Sequence, residues 1–84
     1  MEFLYTARFL KSLKKLPSLV TDDVYQAVEE FKKKTNHTRL KLHKLQGRMK
    51  KYHAFSANYE YRIIILIKNK EVIFIDVGNH SIYE

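Results

Sequence analysis

Residues 61–77 of this 84-residue chain read YRIIILIKNKEVIFIDV. The segment contains two apolar runs rich in β-branched residues, which favour strands. Asn69 and Lys70 separate the runs, and such a pair is typical of a tight hairpin connection. The run from Ile63 to Ile67 is apolar at every position, which predicts an inner strand covered on both faces. We therefore expect an antiparallel hairpin within a larger sheet.

Working outward, residues 51–58, KYHAFSAN, predict a further strand on the N-terminal side of the hairpin, and Glu2 to Tyr5 predict a short first strand. Thr6 is a suitable helix N-cap, with Tyr5 and Leu10 at the spacing of a hydrophobic staple. Two helical stripes follow, at Phe9, Leu10, Leu13 and Leu16 and then at Val20, Val24, Ala27, Val28 and Phe31. Pro17 ends the first helix, and we expect Ser18 to cap the second.

These elements predict an α+β fold with the order β-α-α-β-β-β, in which a two-helix hairpin packs on an antiparallel sheet. A chain of this length supports one hydrophobic core, so we expect a single domain over residues 1–84. The helices can cover only one face of the sheet. We expect apolar surface on the other face around Phe55, Ile64, Leu66 and Phe74, which either awaits a partner or is shielded by neighbouring side chains.

The charge is unevenly distributed. The chain has a net charge of +7, and residues 32–51 contain nine basic side chains and no acidic one. This favours a polyanion or an acidic protein as a partner, although a solvated face that keeps a small protein soluble is the plain alternative. The absence of cysteine and of an apolar leader or membrane span predicts a cytoplasmic protein that contacts no membrane.

Arg62 begins one strand of the hairpin, and His80 and Tyr83 follow the other, so pairing of the strands brings all three toward the same end. A guanidinium, an imidazole and a phenol suit cleavage of a phosphodiester, which needs charge stabilisation and two proton transfers. Arg62 has two interpretations: an ion pair with Glu60 at the strand end, or a phosphate clamp that Glu60 orients.

Three further histidines are candidates, since histidine is the residue type whose unperturbed pKa lies near neutrality. His37 reads as a solvated turn residue. His43 lies in the basic connection, where it is either an exposed loop residue or a proton carrier. His53 alternates with Phe55 and is either a core histidine or a ligand-facing group. No spacing typical of a metal site, a phosphate-binding glycine loop or a nucleophile elbow occurs.

The order of elements, together with Leu45-Gln46-Gly47, Tyr61-Arg62-Ile63-Ile64 and Gly78-Asn79-His80 followed by Tyr83, resembles the RelE/ParE superfamily of toxin-antitoxin toxins, in particular its RelE- and YafQ-like branch. The resemblance covers nearly the whole chain. It implies a metal-independent endoribonuclease that cleaves mRNA, usually on the ribosome, and so inhibits translation. It also implies a cognate antitoxin protein as partner and no small-molecule cofactor.

The resemblance also implies roles for residues. Arg62 matches the arginine that contacts the scissile phosphate, His80 and Tyr83 match a C-terminal histidine and aromatic residue, and His43 matches a histidine before the Leu-x-Gly motif. Ser56 departs from the pattern, since YafQ-like toxins carry a catalytic histidine there. We assign charge stabilisation to Arg62, proton transfer to His80 with His43 or His53, and base stacking or orientation to Tyr83. Candidate RNA-binding cations are Lys41, Lys44, Arg48, Lys50 and Lys51.

Two other classes of function stay open at this point. ParE-like members of the superfamily poison DNA gyrase, and a toxin-like module can also act as a non-catalytic binder. Plain nucleic-acid binding through residues 32–51 predicts an affinity that falls steeply with salt and no cleavage products.

Overall fold

The computed structural model describes residues 1–33 and 40–79. Its elements are β1 (Glu2–Tyr5), α1 (Ala7–Lys14), α2 (Ser18–Lys32), β2 (His43–Lys44), a 3₁₀ turn (Gly47–Met49), β3 (His53–Ser56), β4 (Tyr61–Lys68) and β5 (Glu71–Asn79). The α+β class and the meander of β3, β4 and β5 are confirmed. Neither described helix has the length and continuous apolar character needed to cross a bilayer.

The sheet has the strand order β1-β5-β4-β3-β2. The β3–β4, β4–β5 and β2–β3 pairs are antiparallel, whereas β1 lies parallel to β5. The sheet is therefore mixed and has five strands, and the expectation of a purely antiparallel sheet was wrong in this respect. β2 was not predicted because two residues are too few to show an alternating pattern.

The hairpin between β4 and β5 turns at Asn69 and Lys70, as predicted. Asn69 has a φ of 55°, in the left-handed region that asparagine tolerates better than most residues. The register places Lys68 opposite Glu71 at the turn and Arg62 opposite Gly78 at the far end. The end of β5 is thus fixed beside the start of β4.

The predicted N-cap is confirmed for α1 but not for α2. The Thr6 hydroxyl accepts a hydrogen bond from the Phe9 amide at 3.0 Å, which confirms Thr6 as the N-cap of α1. The N-cap of α2 is Pro17, without a side-chain cap, and Ser18 is already the first helical residue. The assignment of Ser18 as a cap was wrong, because the extended backbone of Pro17 occupies that position.

One core lies between the two helices and the sheet. It combines the apolar stripes of α1 and α2 with the inward side chains of β3, β4 and β5. The Phe31 ring stacks on the Phe55 ring, with centroids 4.7 Å apart, and meets the Phe74 ring edge-on. Phe55 and Phe74 are fully buried on this helix-facing side, so the expected apolar surface around them on the other face was wrong.

The second face of the sheet also carries buried residues. Ala54, Ile64 and Leu45 are buried but do not belong to the helix-side cluster. Ile64 is only 1% exposed, so it offers no surface to a partner, and Leu66 is half-buried. Leu45 is the buried residue that the basic connection contributes to this face, and its burial anchors the connection on the sheet.

A polar cluster joins α1 to β5. The buried Asp76 carboxylate accepts hydrogen bonds from the Ser12 hydroxyl at 2.6 Å, the Val77 amide at 2.9 Å and the Arg8 Nε at 3.1 Å. Thr6 Oγ1 lies 2.8 Å from the Phe74 carbonyl, to which it donates. These bonds satisfy a buried carboxylate and fix the first turn of α1 on β5.

Substitutions in this cluster should affect stability in a graded way. Asp76→Ala should lower the free energy of unfolding by about 2–3 kcal/mol, because it leaves the Ser12 hydroxyl and the Val77 amide without their acceptor. Ser12→Ala should cost about 1 kcal/mol, and Arg8→Ala less than about 0.5 kcal/mol, because the Arg8 side chain is mostly exposed. Urea unfolding at neutral pH measures all three. Equal effects of Asp76→Ala and Arg8→Ala would contradict the order.

Candidate functional site

A solvent-open cleft lies where β3 turns into β4. Its volume is about 550 Å³, and the described residues that line it are Leu40, Lys41, Ser56, Ala57, Asn58, Tyr59 and Arg62. Lys41 and Arg62 contribute two cations to this lining, and no acidic residue is among these seven. The cleft is therefore suited to an anionic ligand.

Arg62 is held at one corner of its guanidinium. Its Nη1 group donates to the carbonyl oxygens of Asn58 at 2.9 Å, Tyr61 at 3.1 Å and Tyr59 at 3.3 Å. Nε and Nη2 make no hydrogen bond to a described residue, which leaves one edge of the fork for a ligand. A guanidinium edge matches two oxygens of a phosphate in a bidentate arrangement.

The ion pair considered for Arg62 and Glu60 is not formed. Within residues 1–33 and 40–79, the ion pairs are Arg8 with Asp76 and Lys32 with Glu29. Backbone carbonyls, which carry only partial charge, thus orient Arg62. Its full positive charge is available to an incoming anion.

His43 is the predicted proton carrier that the structure describes on β2, two strands from Arg62 on β4. Its Nδ1 lies 2.7 Å from the Lys41 carbonyl oxygen. A carbonyl can only accept, so Nδ1 carries the proton, and in the neutral ring Nε2 keeps its lone pair. Lys41 has a left-handed backbone with a φ of 57°, which is uncommon for a lysine and is typical of tightly turned segments near sites. The Lys41 carbonyl thus fixes the Nδ1 proton of His43 and leaves Nε2 as the acceptor nitrogen.

Strand register explains why these groups share one face. Ser56 pairs with Arg62, and His43 pairs with Ala54, which lies two residues before Ser56. Successive side chains of a strand alternate between faces, so His43, Ser56 and Arg62 all lie on the face away from the helices. The predicted His43 and Arg62 are thus brought to one face on β2 and β4, with β3 between them.

His53 lies on the opposite face. It pairs with Ile65, next to Phe55, on the side that the helices cover. Its Nδ1 is buried without a hydrogen-bond partner among the described residues. Burial, followed by the positive charge of Lys44 and by His43, lowers the pKa of His53. A neutral, partly enclosed ring on the helix side does not converge with Arg62, and we no longer assign it to proton transfer.

Several predicted residues cannot be placed. His37, His80 and Tyr83 lie outside the described residues. What is placed is the end of β5: Gly78 pairs with Arg62 and Asn79 with Tyr61, immediately before His80 in the sequence. The RNA-binding candidates Lys44, Arg48, Lys50 and Lys51 are all exposed, on β2 and around the 3₁₀ turn that follows it.

Sequence reasoning missed the residues that build the turn between β3 and β4. The Asn58 side-chain oxygen accepts from the amides of Glu60 at 2.9 Å and Tyr61 at 2.8 Å, and its amide group donates to Asp23 of α2 at 2.9 Å. An asparagine between two predicted strands is a known turn signal. That signal could have identified Asn58 as the organiser of the turn on which Arg62 rests.

The described residues contain no group of three or more histidine or carboxylate side chains arranged to hold a metal ion.

Known structures share this fold. The chain superposes on YafQ from Escherichia coli BL21(DE3) with a TM-score of 0.81 and 18% identity, over 96% of this chain and 94% of that one. RelE in the RelB-RelE antitoxin-toxin complex from Methanococcus jannaschii gives 0.76 and 26%, over 96% and 95%. The YoeB/ParE toxin from Agrobacterium tumefaciens gives 0.70 and 14%, over 95% and 99%.

No protein-family model and no curated protein sequence matches the chain. The structural neighbours are toxins of the RelE/ParE superfamily, and the likeness spans almost all of both chains. The resemblance stated from the sequence is therefore confirmed at the level of the fold: the chain has the RelE/ParE toxin fold.

The lowered pKa of His53 predicts how stability depends on pH. The unfolded histidine takes up a proton near pH 6.5, whereas the folded ring does so only at lower pH. The unfolded state therefore binds more protons as the pH falls below about 6.5, and stability should decrease there until the folded pKa is passed. Well above pH 6.5, where neither state binds the proton, this contribution should be constant.

Urea unfolding between pH 7.5 and 5 measures this dependence. His53→Gln should flatten the decrease below pH 6.5, because glutamine does not titrate. Lys44→Gln should reduce the decrease without removing it, because burial is the larger cause of the shift. An unchanged pH profile in His53→Gln would show that another group is responsible.

Proposed function

We propose that this chain is the toxin of a toxin-antitoxin module and that it acts as a metal-independent endoribonuclease on mRNA at the ribosome in the cytoplasm, inhibiting translation. The shared fold supports the toxin class. The observation that carries the enzymatic proposal is the placement of Arg62, with a free guanidinium edge, on the same sheet face as His43, whose Nδ1 proton is fixed by the Lys41 carbonyl.

In the proposed reaction, His43 Nε2 accepts the proton of a ribose 2′-hydroxyl. The resulting oxyanion attacks the adjacent phosphorus, and the bond to the 5′-oxygen breaks. Arg62 stabilises the charge that develops on the non-bridging oxygens, with Lys41 as a second cation of the cleft. His80 is proposed to protonate the departing 5′-oxygen, and Tyr83 to stack on or orient a base. The products are a 2′,3′-cyclic phosphate and a 5′-hydroxyl end.

Ser56 occupies the position between His43 and Arg62 in this arrangement. It pairs with Arg62 and lines the cleft, but a serine hydroxyl has no pKa near neutrality. The proton transfers therefore depend on His43 and His80, with no third histidine on this face among the described residues. This makes single substitutions of the two histidines informative.

Mapping of transcript ends after brief expression tests the reaction. Arg62→Ala and His43→Ala should each lower the cleavage rate about a hundredfold, by loss of charge stabilisation and of the general base respectively. His80→Ala should have a similar effect if it is the general acid. Arg62→Lys should recover only part of the rate, because an ammonium cannot bind two oxygens in a fork.

Lys70→Ala is the matched control, since it removes one charge at the far end of the β4–β5 hairpin and should leave cleavage unchanged. A gyrase supercoiling assay with the same proteins tests the ParE-like alternative. Wild-type inhibition of supercoiling without new 5′-hydroxyl ends would contradict the nuclease proposal.

We also propose that a cognate antitoxin binds the groove between α1 and α2. Two adjoining hollows of about 390 and 500 Å³ lie there, both lined by Leu10, Leu13 and Tyr25. Leu10 is 45% exposed and Tyr25 57%, which is a large apolar surface for a small domain. An amphipathic helix of the antitoxin would bury these side chains, and its acidic residues would face the exposed cations of α1.

Leu10→Glu should weaken the complex with the antitoxin at least tenfold, because it places a charge in an apolar interface, while toxicity alone should be unchanged. Leu19→Glu is the control: Leu19 is 78% exposed on α2 and does not line either hollow. Co-purification and rescue of growth by the antitoxin provide the measurements. Equal rescue of both variants would place the antitoxin elsewhere.

A further inference from the structure

Tyr59 has the most exposed side chain among the large apolar residues described. It is 96% exposed, compared with 57% for Tyr25 and 40% for Tyr5. Its ring makes no aromatic or cation contact with a described residue. The ring therefore contributes no packing to the stability of the fold, although an exposed aromatic surface is unfavourable in water.

The turn that carries Tyr59 is fixed in place. Asn58 closes it through the amides of Glu60 and Tyr61, and it is tied to α2 through Asp23. The Ala57 amide donates to the Tyr61 carbonyl at 2.9 Å, which closes the base of the turn. A rigid turn presents the ring at little cost in conformational entropy on binding.

The same turn belongs to the cleft of Arg62. The Tyr59 carbonyl is one of the three that hold Nη1 of Arg62, and Tyr59 and Lys41 both line the cleft. Glu60, the neighbouring acid, does not line it. The cleft thus combines two cations for an anion with one flat, exposed ring, and this combination matches a nucleotide, which joins a phosphate to an aromatic base.

We propose that Tyr59 is a stacking platform for the base of a nucleotide next to the phosphate that Arg62 holds in single-stranded RNA. This inference rests on the proposed function, and it assigns a base contact separate from that of Tyr83. Stacking tolerates every base, so Tyr59 adds affinity and contributes little to sequence preference. It acts in binding, not in proton transfer.

The test measures binding of a single-stranded oligoribonucleotide made non-cleavable by 2′-O-methylation, offered free and as mRNA on programmed ribosomes. Tyr59→Ala should raise the Kd about tenfold, and Tyr59→Phe should change it less than about twofold, because the ring is retained. Leu19→Ala, which removes another exposed apolar side chain far along the sequence, should have no effect. Thermal unfolding should be the same for all variants, since Tyr59 makes no packing contact.

An oligonucleotide series with one abasic position identifies the base. At one position, removal of the base should raise the Kd of the wild-type protein about tenfold, as Tyr59→Ala does. Removal of the base at that position should not raise the Kd of Tyr59→Ala further. Additive losses at every position would overturn the stacking contact. So would a Kd for Tyr59→Ala within twofold of the wild-type value.

The two proposals fail in different ways. If the wild-type protein binds neither form of the RNA, or if Arg62→Ala binds as well as the wild type, the proposed function itself fails. If Arg62→Ala weakens binding and Tyr59→Ala does not, only the stacking platform is overturned. Loss of antitoxin binding in Tyr59→Ala with unchanged RNA affinity would also overturn it, because the ring would then belong to a protein interface.

Discussion

The stacking of Phe31 on Phe55 decides which face of the sheet is available for chemistry. The two rings are nearly parallel, with centroids 4.7 Å apart, and Phe74 meets Phe31 edge-on at 6.3 Å. Burial of these large rings under α2 commits one face of β3 and β5 to the core. Because side chains alternate along a strand, the residue after Phe55 must point to the other face. Ser56, and with it Arg62 on β4, is thereby excluded from the core.

The end of the sheet that carries Arg62 is built from both sides. On one side, the Asn58 side chain closes the β3–β4 turn, and the backbone carbonyls of this turn hold the Arg62 guanidinium. On the other, β1 ends at Tyr5, and α1 then covers β5, with Thr6 and Ser12 bonded to the Phe74 carbonyl and the Asp76 carboxylate. The strand that leads to Gly78 is fixed by these bonds before it reaches the position opposite Arg62. Hydrogen bonds on both sides thus fix the positions of Arg62 and Gly78, which face each other across β4 and β5.

Much of the fold could be predicted from the sequence because its signals are local. Helical stripes, the Thr6 cap and the Asn69 turn each depend on a few neighbouring residues. The face of the sheet to which each strand residue points was harder to predict, because it depends on which residues pair across strands. Phe55 pairs with Ile63, not with Ile64, and the register shifts between Ile64 and Ile65 against β5, so a simple alternation misplaced both Phe55 and Phe74.

Other features of the structure had no local signal at all. The parallel pairing of β1 with β5 joins residues about 70 positions apart, and β2 is too short for periodicity to reveal. In the candidate site, Arg62 and His43 were identified from residue type and resemblance. The turn carbonyls that hold Arg62 and the Lys41 carbonyl that fixes the tautomer of His43 depend on backbone positions, which residue type does not reveal.

His43 and His53 show how placement separates residues of the same type. They lie on neighbouring strands, yet register puts them on opposite faces. His53 is partly enclosed beside apolar side chains, where desolvation disfavours its charged form and lowers its pKa. His43 is exposed, and a backbone carbonyl fixes its Nδ1 proton while Nε2 remains available. A proton carrier must exchange protons with its surroundings and hold its lone pair in a defined direction. Of this pair, His43 meets both conditions, which is why the proposed proton transfer is assigned to the face of the sheet that Phe31 leaves uncovered.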